Sequence, residues 1–146
     1  MLIYIEGNIG SGKSTFIELM REHLSKFKTE DVEPLVVLEP VDEWMKTEDG
    51  DGKNILEKFY SDQEKWSFAF QMNSFISRIK RIEDMDTVSD GKESLIFAER
   101  SIYTDKRCFA ELCYENGKMS KLEYDIYCRW NNWLSEEFQM KPDAYI

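Results

Sequence analysis

Nothing in this chain approaches the apolar run of about 18 residues that a membrane helix needs. Positive charge is also in short supply. The 19 Lys and Arg face 29 Asp and Glu, leaving a net charge of −10. Binding a phosphate backbone takes a broad basic face, so no nucleic acid and no membrane are expected as partners. The sole histidine, His23, lies in a helix-compatible run and reads as a surface residue. The three cysteines, Cys108, Cys113 and Cys128, are odd in number and lack a C-x-x-C spacing. That pattern suggests neither a disulfide framework nor a zinc site. Buried free thiols in a reducing compartment are expected instead. Apolar residues begin at Leu2, so no signal or transit peptide is expected, and a cytoplasmic location is expected. There is no internal repeat, no low-complexity linker and no N-K-x-D base-reading motif of the GTPase kind. At 146 residues and 42% hydrophobic, residues 1–146 are expected to form a single domain.

Against these absences stands one dense stretch. Gly7-Asn8-Ile9-Gly10-Ser11-Gly12-Lys13-Ser14-Thr15 satisfies G-x-x-x-x-G-K-[ST], the phosphate-binding P-loop. Leu2-Ile3-Tyr4-Ile5 before it suits a short buried strand, and the run from Phe16 to Leu24 suits a helix. Glycines leave room for backbone N–H groups to converge on an anion, and the helix start adds its dipole at the same point. Lys13 is placed to reach the β- and γ-phosphates of a nucleoside triphosphate, and the Ser14 hydroxyl to ligate Mg²⁺.

Further along, helix one is expected from about Lys13 to Lys26. Leu35-Val36-Val37-Leu38, bounded by Pro34 and Pro40, reads as a buried strand of a parallel sheet, and it ends in Glu39. Trp44 to Lys53 reads as a polar loop and Asn54 to Tyr60 as a short helix. Asp62 can cap a long helix to about Met85. On that helix Gln71, Ser74 and Arg78 share one stripe at i, i+3 and i+7, which periodicity alone leaves open between a solvated face and a pocket wall. Ser89-Asp90-Gly91 reads as a turn and Leu95-Ile96-Phe97-Ala98 as a third strand, ending in Glu99-Arg100. Thr104 or Asp105 is expected to start a helix that stops before Gly117. Ser120 and Glu123 form a capping box, and Asp143 to Ile146 opens a fourth strand.

Strands alternating with helices imply an α/β fold, a parallel sheet wrapped by helices. Ligands of such sheets sit at the carboxyl ends of the strands. The P-loop, Glu39 and Glu99-Arg100 should therefore surround one cleft. Phosphoryl transfer suits this set, since it needs charge neutralisation and alignment more than covalent help. Glu39 is the candidate general base. Arg100 can neutralise the transferring group or pair with Glu39, and Glu99 can hold Mg²⁺ through water. Trp44, Tyr60, Phe70 and Phe109 are candidates to flank a flat acceptor.

The residues assembled so far resemble the deoxynucleoside kinases. The matching pieces are the P-loop, Glu39-Pro40-Val41 with Trp44, Phe59-Tyr60, Lys65-Trp66, Phe70-Gln71 and Glu99-Arg100-Ser101-Ile102-Tyr103-Thr104-Asp105. The resemblance implies a P-loop NTPase-type sheet, ATP as donor with Mg²⁺, and a deoxyribonucleoside as acceptor. It implies Glu39 as base toward the 5′-hydroxyl, with Arg100 holding that region. Gln71 would bond the nucleobase and Tyr60 the 3′-hydroxyl, with Trp44, Phe70 and Phe109 packing the rings. Arg78 and Asp105 match a charged pair found in deoxycytidine and deoxypurine kinases, so those substrates are expected over thymidine. A homodimer is also implied. Family members continue past the fourth strand into an arginine-rich lid. This sequence stops at Ile146, and the fold is expected without the lid and the last strands. Two other readings compete: a thymidylate kinase-like nucleoside monophosphate kinase, and a non-catalytic nucleotide-binding or dimerisation module.

Overall fold

The computed structural model describes residues 1–89 and 91–146, with every side chain among them except that of Ser25. Asp90, in the middle of the expected turn, lies outside the described residues. Strand β1 (Leu2–Ile5) is apolar throughout, as a strand buried on both faces must be. Around it form β2 (Val32–Val37), β3 (Glu93–Glu99) and the short β4 (Ala144–Tyr145). All pairings are parallel, in the order β2-β3-β1-β4. The register aligns Ile5 with Glu99 and Val37 with Ala98. It therefore brings the P-loop, Glu39 and Glu99-Arg100 together at the carboxyl ends of the strands.

Helix α1 (Lys13–Leu24) covers one face, where Ile17 and Leu24 meet Ile5 and Phe97. The other face is covered by α4 (Gln63–Asp86) and α7 (Lys121–Glu137). There Phe75, Ile79, Ile82 and Tyr127 pack on Tyr4, Val37, Ile96 and Ala98. The alternation Ile96/Ala98 against Leu95/Phe97 on β3 serves both layers. Asn54 with Glu57 and Ser120 with Glu123 close capping boxes ahead of α3 (Ile55–Ser61) and α7. No helix is long and apolar enough to cross a membrane among the described residues.

Several boundaries differ from the sequence reading. Pro34 lies inside β2 rather than before it. β2 is the outer strand of the described sheet, where a missing N–H need not break a ladder. Trp44 sits in a helix, α2 (Val41–Lys46), and not in a loop. Val41 and Trp44 share one turn's face, which packs into a cluster with Phe59 and Phe70. The helical run after β3 starts earlier than expected, because Ser101 caps it by accepting from the Thr104 N–H at 3.1 Å. That run comprises α5 (Ile102–Thr104), a π-helical turn (Asp105–Ala110) and α6 (Glu111–Glu115). The cysteines are free, but only Cys113 is buried; Cys108 is exposed and Cys128 is partly covered. The placement of Cys108 on the solvent side of the π-helical turn corrects the expectation of three buried thiols.

Candidate active site

The loop between β1 and α1 turns on glycines. At Gly7, φ is +152° and a Cβ would stand 2.6 Å from the Ser11 Oγ. Gly12 has φ +89° directly before the helix, a conformation that side chains disfavour. Asn8, Ile9, Gly10 and Ser11 form the exposed rim, with Ser14 and Thr15 exposed on the first turn of α1. Lys13 is buried, and its Nζ donates to the Asn8 carbonyl at 2.9 Å. The Ser14 hydroxyl donates to Glu99 Oε1 at 2.8 Å. A hydroxyl beside a carboxylate is the oxygen-donor set that Mg²⁺ takes, since it keeps waters and phosphate oxygens in its remaining positions. No group of three or more His, Cys, Asp or Glu side chains could hold a metal among the described residues.

The second strand end lies alongside. The Glu39 N–H points to Glu99 Oε2 at 3.4 Å. Glu39 Oε1 receives the Arg100 Nε–H at 3.1 Å and also pairs with Arg78 Nη2. Arg100 has φ +63°, and its guanidinium stacks on Phe109 at 4.7 Å. Arg78 is 5% exposed, and its Nε lies 3.2 Å from Asp105 Oδ2. That N–H is poorly aligned, however, and neither Nε nor Nη1 has a hydrogen-bond partner among the described residues. The contact is therefore an ion pair rather than a forked hydrogen bond. Ser74 Oγ donates to the same Asp105 oxygen at 3.1 Å.

Gln71, Ser74 and Arg78 thus face inward, and all three are buried. The stripe is a pocket wall because the turn from Asp105 and helix α6 lie across it. A cavity of about 380 Å³ runs from Ile9, Glu39 and Arg100 to Gln71, Asp105 and Phe109. Trp44 and Phe70 meet edge to face at 5.4 Å, and Phe59 stacks on Phe70 at 4.6 Å. The Trp44 Nε1–H donates to Ser77 Oγ at 2.8 Å, and its ring carries the Arg78 guanidinium. Tyr60 stands at the mouth, 65% exposed. Three further residues belong to the site that the sequence reading gives no site role. Phe59 completes the aromatic floor. Cys113, its thiol pushed up by burial, receives the Gln71 Nε2–H at 3.9 Å. Glu6 ties the end of β1 to Ser101 and Thr104. For Glu6 a usable signal existed: like Glu39 and Glu99, it is a carboxylate closing a buried strand.

Asp105 is 2% exposed, and burial pushes its carboxyl above the ordinary value, with Arg78 and the Ser74 hydroxyl pulling it back. A carboxyl whose folded pKa exceeds its unfolded one binds more protons when folded. The stability it contributes is therefore lost as pH rises from the unfolded value through the folded one. Urea unfolding at stepped pH is expected to show the wild-type chain losing stability relative to Asp105→Asn as pH rises from about 4. A difference that stays flat or grows would contradict the placement of Asp105.

A family model described as "Deoxynucleoside kinase" matches residues 3–146. Mouse deoxycytidine kinase is 35% identical over 150 aligned residues, which cover 93% of this chain and 55% of the mouse protein. A probable deoxycytidine kinase of fowlpox virus is 33% identical, covering 99% of this chain and 54% of its own length. Mitochondrial deoxyguanosine kinase of Xenopus laevis is 29% identical over 94% of this chain. The chain spans about half the length of these curated relatives. With a match that runs from the first strand to the last and a P-loop α/β sheet beneath it, the chain belongs to the deoxynucleoside kinase family.

Proposed function

We propose that residues 1–146 form one kinase-like domain that transfers the γ-phosphoryl of ATP to the 5′-hydroxyl of a deoxyribonucleoside in nucleotide salvage. The observation that carries this reading is the shared cavity. Glu39, at the phosphate end, and Gln71, at the far wall, line one space of about 380 Å³, within the usual range for small-molecule sites. The backbone of Gly7 to Thr15 cradles the donor phosphates, and Lys13 neutralises their charge. Glu39 takes the proton as the 5′-oxygen bonds to the γ-phosphorus and the bond to the bridging oxygen breaks, releasing ADP. Arg100 holds Glu39 in place from one side. Mg²⁺, held through Ser14 and Glu99, would supply further neutralisation of the β- and γ-oxygens.

At the other end, Gln71 offers both a donor and an acceptor to a base edge. Trp44, Phe70 and Phe109 flank the rings, and Tyr60 at the mouth meets the 3′-hydroxyl. Ser74, Arg78 and Asp105 form a polar wall that suits cytosine or a purine and crowds a thymine methyl. The names of the relatives, deoxycytidine and deoxyguanosine kinases, agree with that preference. A homodimer belongs to this reading as well, since α7 leaves Leu122, Trp130 and Trp133 exposed.

The test is a Michaelis series with ATP and Mg²⁺ on the four deoxynucleosides and on thymidine monophosphate. Deoxycytidine or a purine deoxynucleoside is expected to have the highest kcat/KM. Thymidine as best substrate would overturn the specificity. Turnover of the monophosphate alone would favour a thymidylate kinase-like enzyme. ATP binding without any product would leave a binding module.

A further inference from the structure

We propose that Glu6 is a positioning residue for the phosphoryl-transfer end of the cleft, acting through Arg100. The inference rests on the kinase reading above. Glu6 stands between the last residue of β1 and Gly7. Its Oε1 accepts from the Ser101 N–H at 2.9 Å and from the Thr104 hydroxyl at 2.8 Å. Its backbone N–H donates to the Ile146 carbonyl at 2.8 Å. Just before it, the Ile5 carbonyl accepts from the Arg100 N–H at 3.0 Å. Ile5, the last residue of β1, and Glu6 directly after it therefore hold the two consecutive N–H groups of Arg100 and Ser101.

The residue so held needs holding. Arg100 has φ +63°, a left-handed conformation that a bulky side chain adopts only where its surroundings impose it. That conformation lets the chain leave β3, enter the Ser101 cap and still lay the Arg100 guanidinium on Glu39 and Phe109. The Ser101 and Thr104 hydroxyls contact each other at 3.3 Å, so the Glu6 carboxylate clamps both ends of the cap at once. Because Glu6 directly precedes the P-loop, the same clamp fixes Arg100 relative to the loop that would carry the donor phosphates. The other carboxylate oxygen, Oε2, is buried with no partner among the described residues. Only one oxygen makes the clamp, so an amide oxygen can replace it.

Glu6→Ala is expected to lower kcat about tenfold or more, because misplacing a group near the chemistry slows the step. KM for ATP and for the deoxynucleoside should stay within about threefold. Glu6→Gln should recover most of that loss, and Thr104→Val, which removes one of the two clamp bonds, should fall between them. The second readout needs no turnover. In NMR spectra the Arg100 Nε–H, bonded to Glu39, should be protected from exchange in the wild-type chain and in Glu6→Gln, and unprotected in Glu6→Ala. A wild-type chain without kinase activity refutes the reading of function, and the Arg100 signal then decides the role of Glu6. Loss of melting temperature in Glu6→Ala with kcat of the folded protein unchanged overturns the proposal. So does an Arg100 signal unaffected by Glu6→Ala. Should Glu6→Ala not fold, Thr104→Val and Glu6→Gln carry the same comparison.

Discussion

Glu39→Gln is expected to cut the turnover of deoxynucleoside about 10²- to 10⁴-fold, the usual worth of a general base, while binding of both substrates survives. Glutamine matches glutamate in size, and its carbonyl oxygen can still receive the Arg100 Nε–H and Arg78 Nη2–H that meet at Glu39 Oε1. Geometry is largely kept. What goes is the capacity to accept a proton. The comparison therefore separates chemistry from packing, which Glu39→Ala would not, since alanine would leave two buried guanidinium groups without a shared partner. Steady-state kinetics with titration calorimetry on the deoxynucleoside checks both halves. A kcat within tenfold of wild type would remove Glu39 from the role of base, and a collapse of binding would make it chiefly a structural anchor.

Arg78→Ala should be the most damaging substitution for the fold. One guanidinium faces Glu39 and Asp105 and lies over the Trp44 ring. Removing it leaves Asp105, almost wholly enclosed, with the Ser74 hydroxyl as its one side-chain hydrogen bond among the described residues. Breaking a buried pair from one side typically costs about 3–5 kcal/mol, a large share of the roughly 5–15 kcal/mol that holds a domain together. Two features identify the cause. The loss should shrink at acidic pH, where Asp105 takes up a proton that burial already favours. It should also shrink in Arg78→Leu combined with Asp105→Ala, because an apolar pair needs no counter-charge. That double variant should admit thymidine better relative to deoxycytidine. Equal losses in single and double variants would show that lost packing on Trp44, not an unpaired charge, is responsible.

Local chemistry was readable in the sequence, and lateral packing was not. The P-loop depends on residues adjacent in the chain, so its motif carried its geometry. The joining of Glu39, Glu99 and the loop followed from a rule about parallel sheets and came out in register. The helix around Trp44 was hidden by Pro40 before it and by the Asp49-Gly50-Asp51-Gly52 run after it, which together look like loop. The stripe Gln71, Ser74 and Arg78 was visible as a face of a helix. Whether water or protein covered it depended on Asp105 and Cys113, more than thirty residues away. Glu6 belongs to no motif of its own, and its partners Ser101 and Thr104 lie far along the chain.

The left-handed backbone at Arg100 sets two demands in opposition. The main chain there would be most relaxed with glycine, while Glu39 and Phe109 are met by a long cationic side chain. Sequence changes that relieve the first demand defeat the second. Selection for heat resistance alone would be drawn to this position and would return proteins that melt later and have lost the guanidinium that pairs with Glu39. Thermostable variants of this chain should be sought away from the end of its third strand.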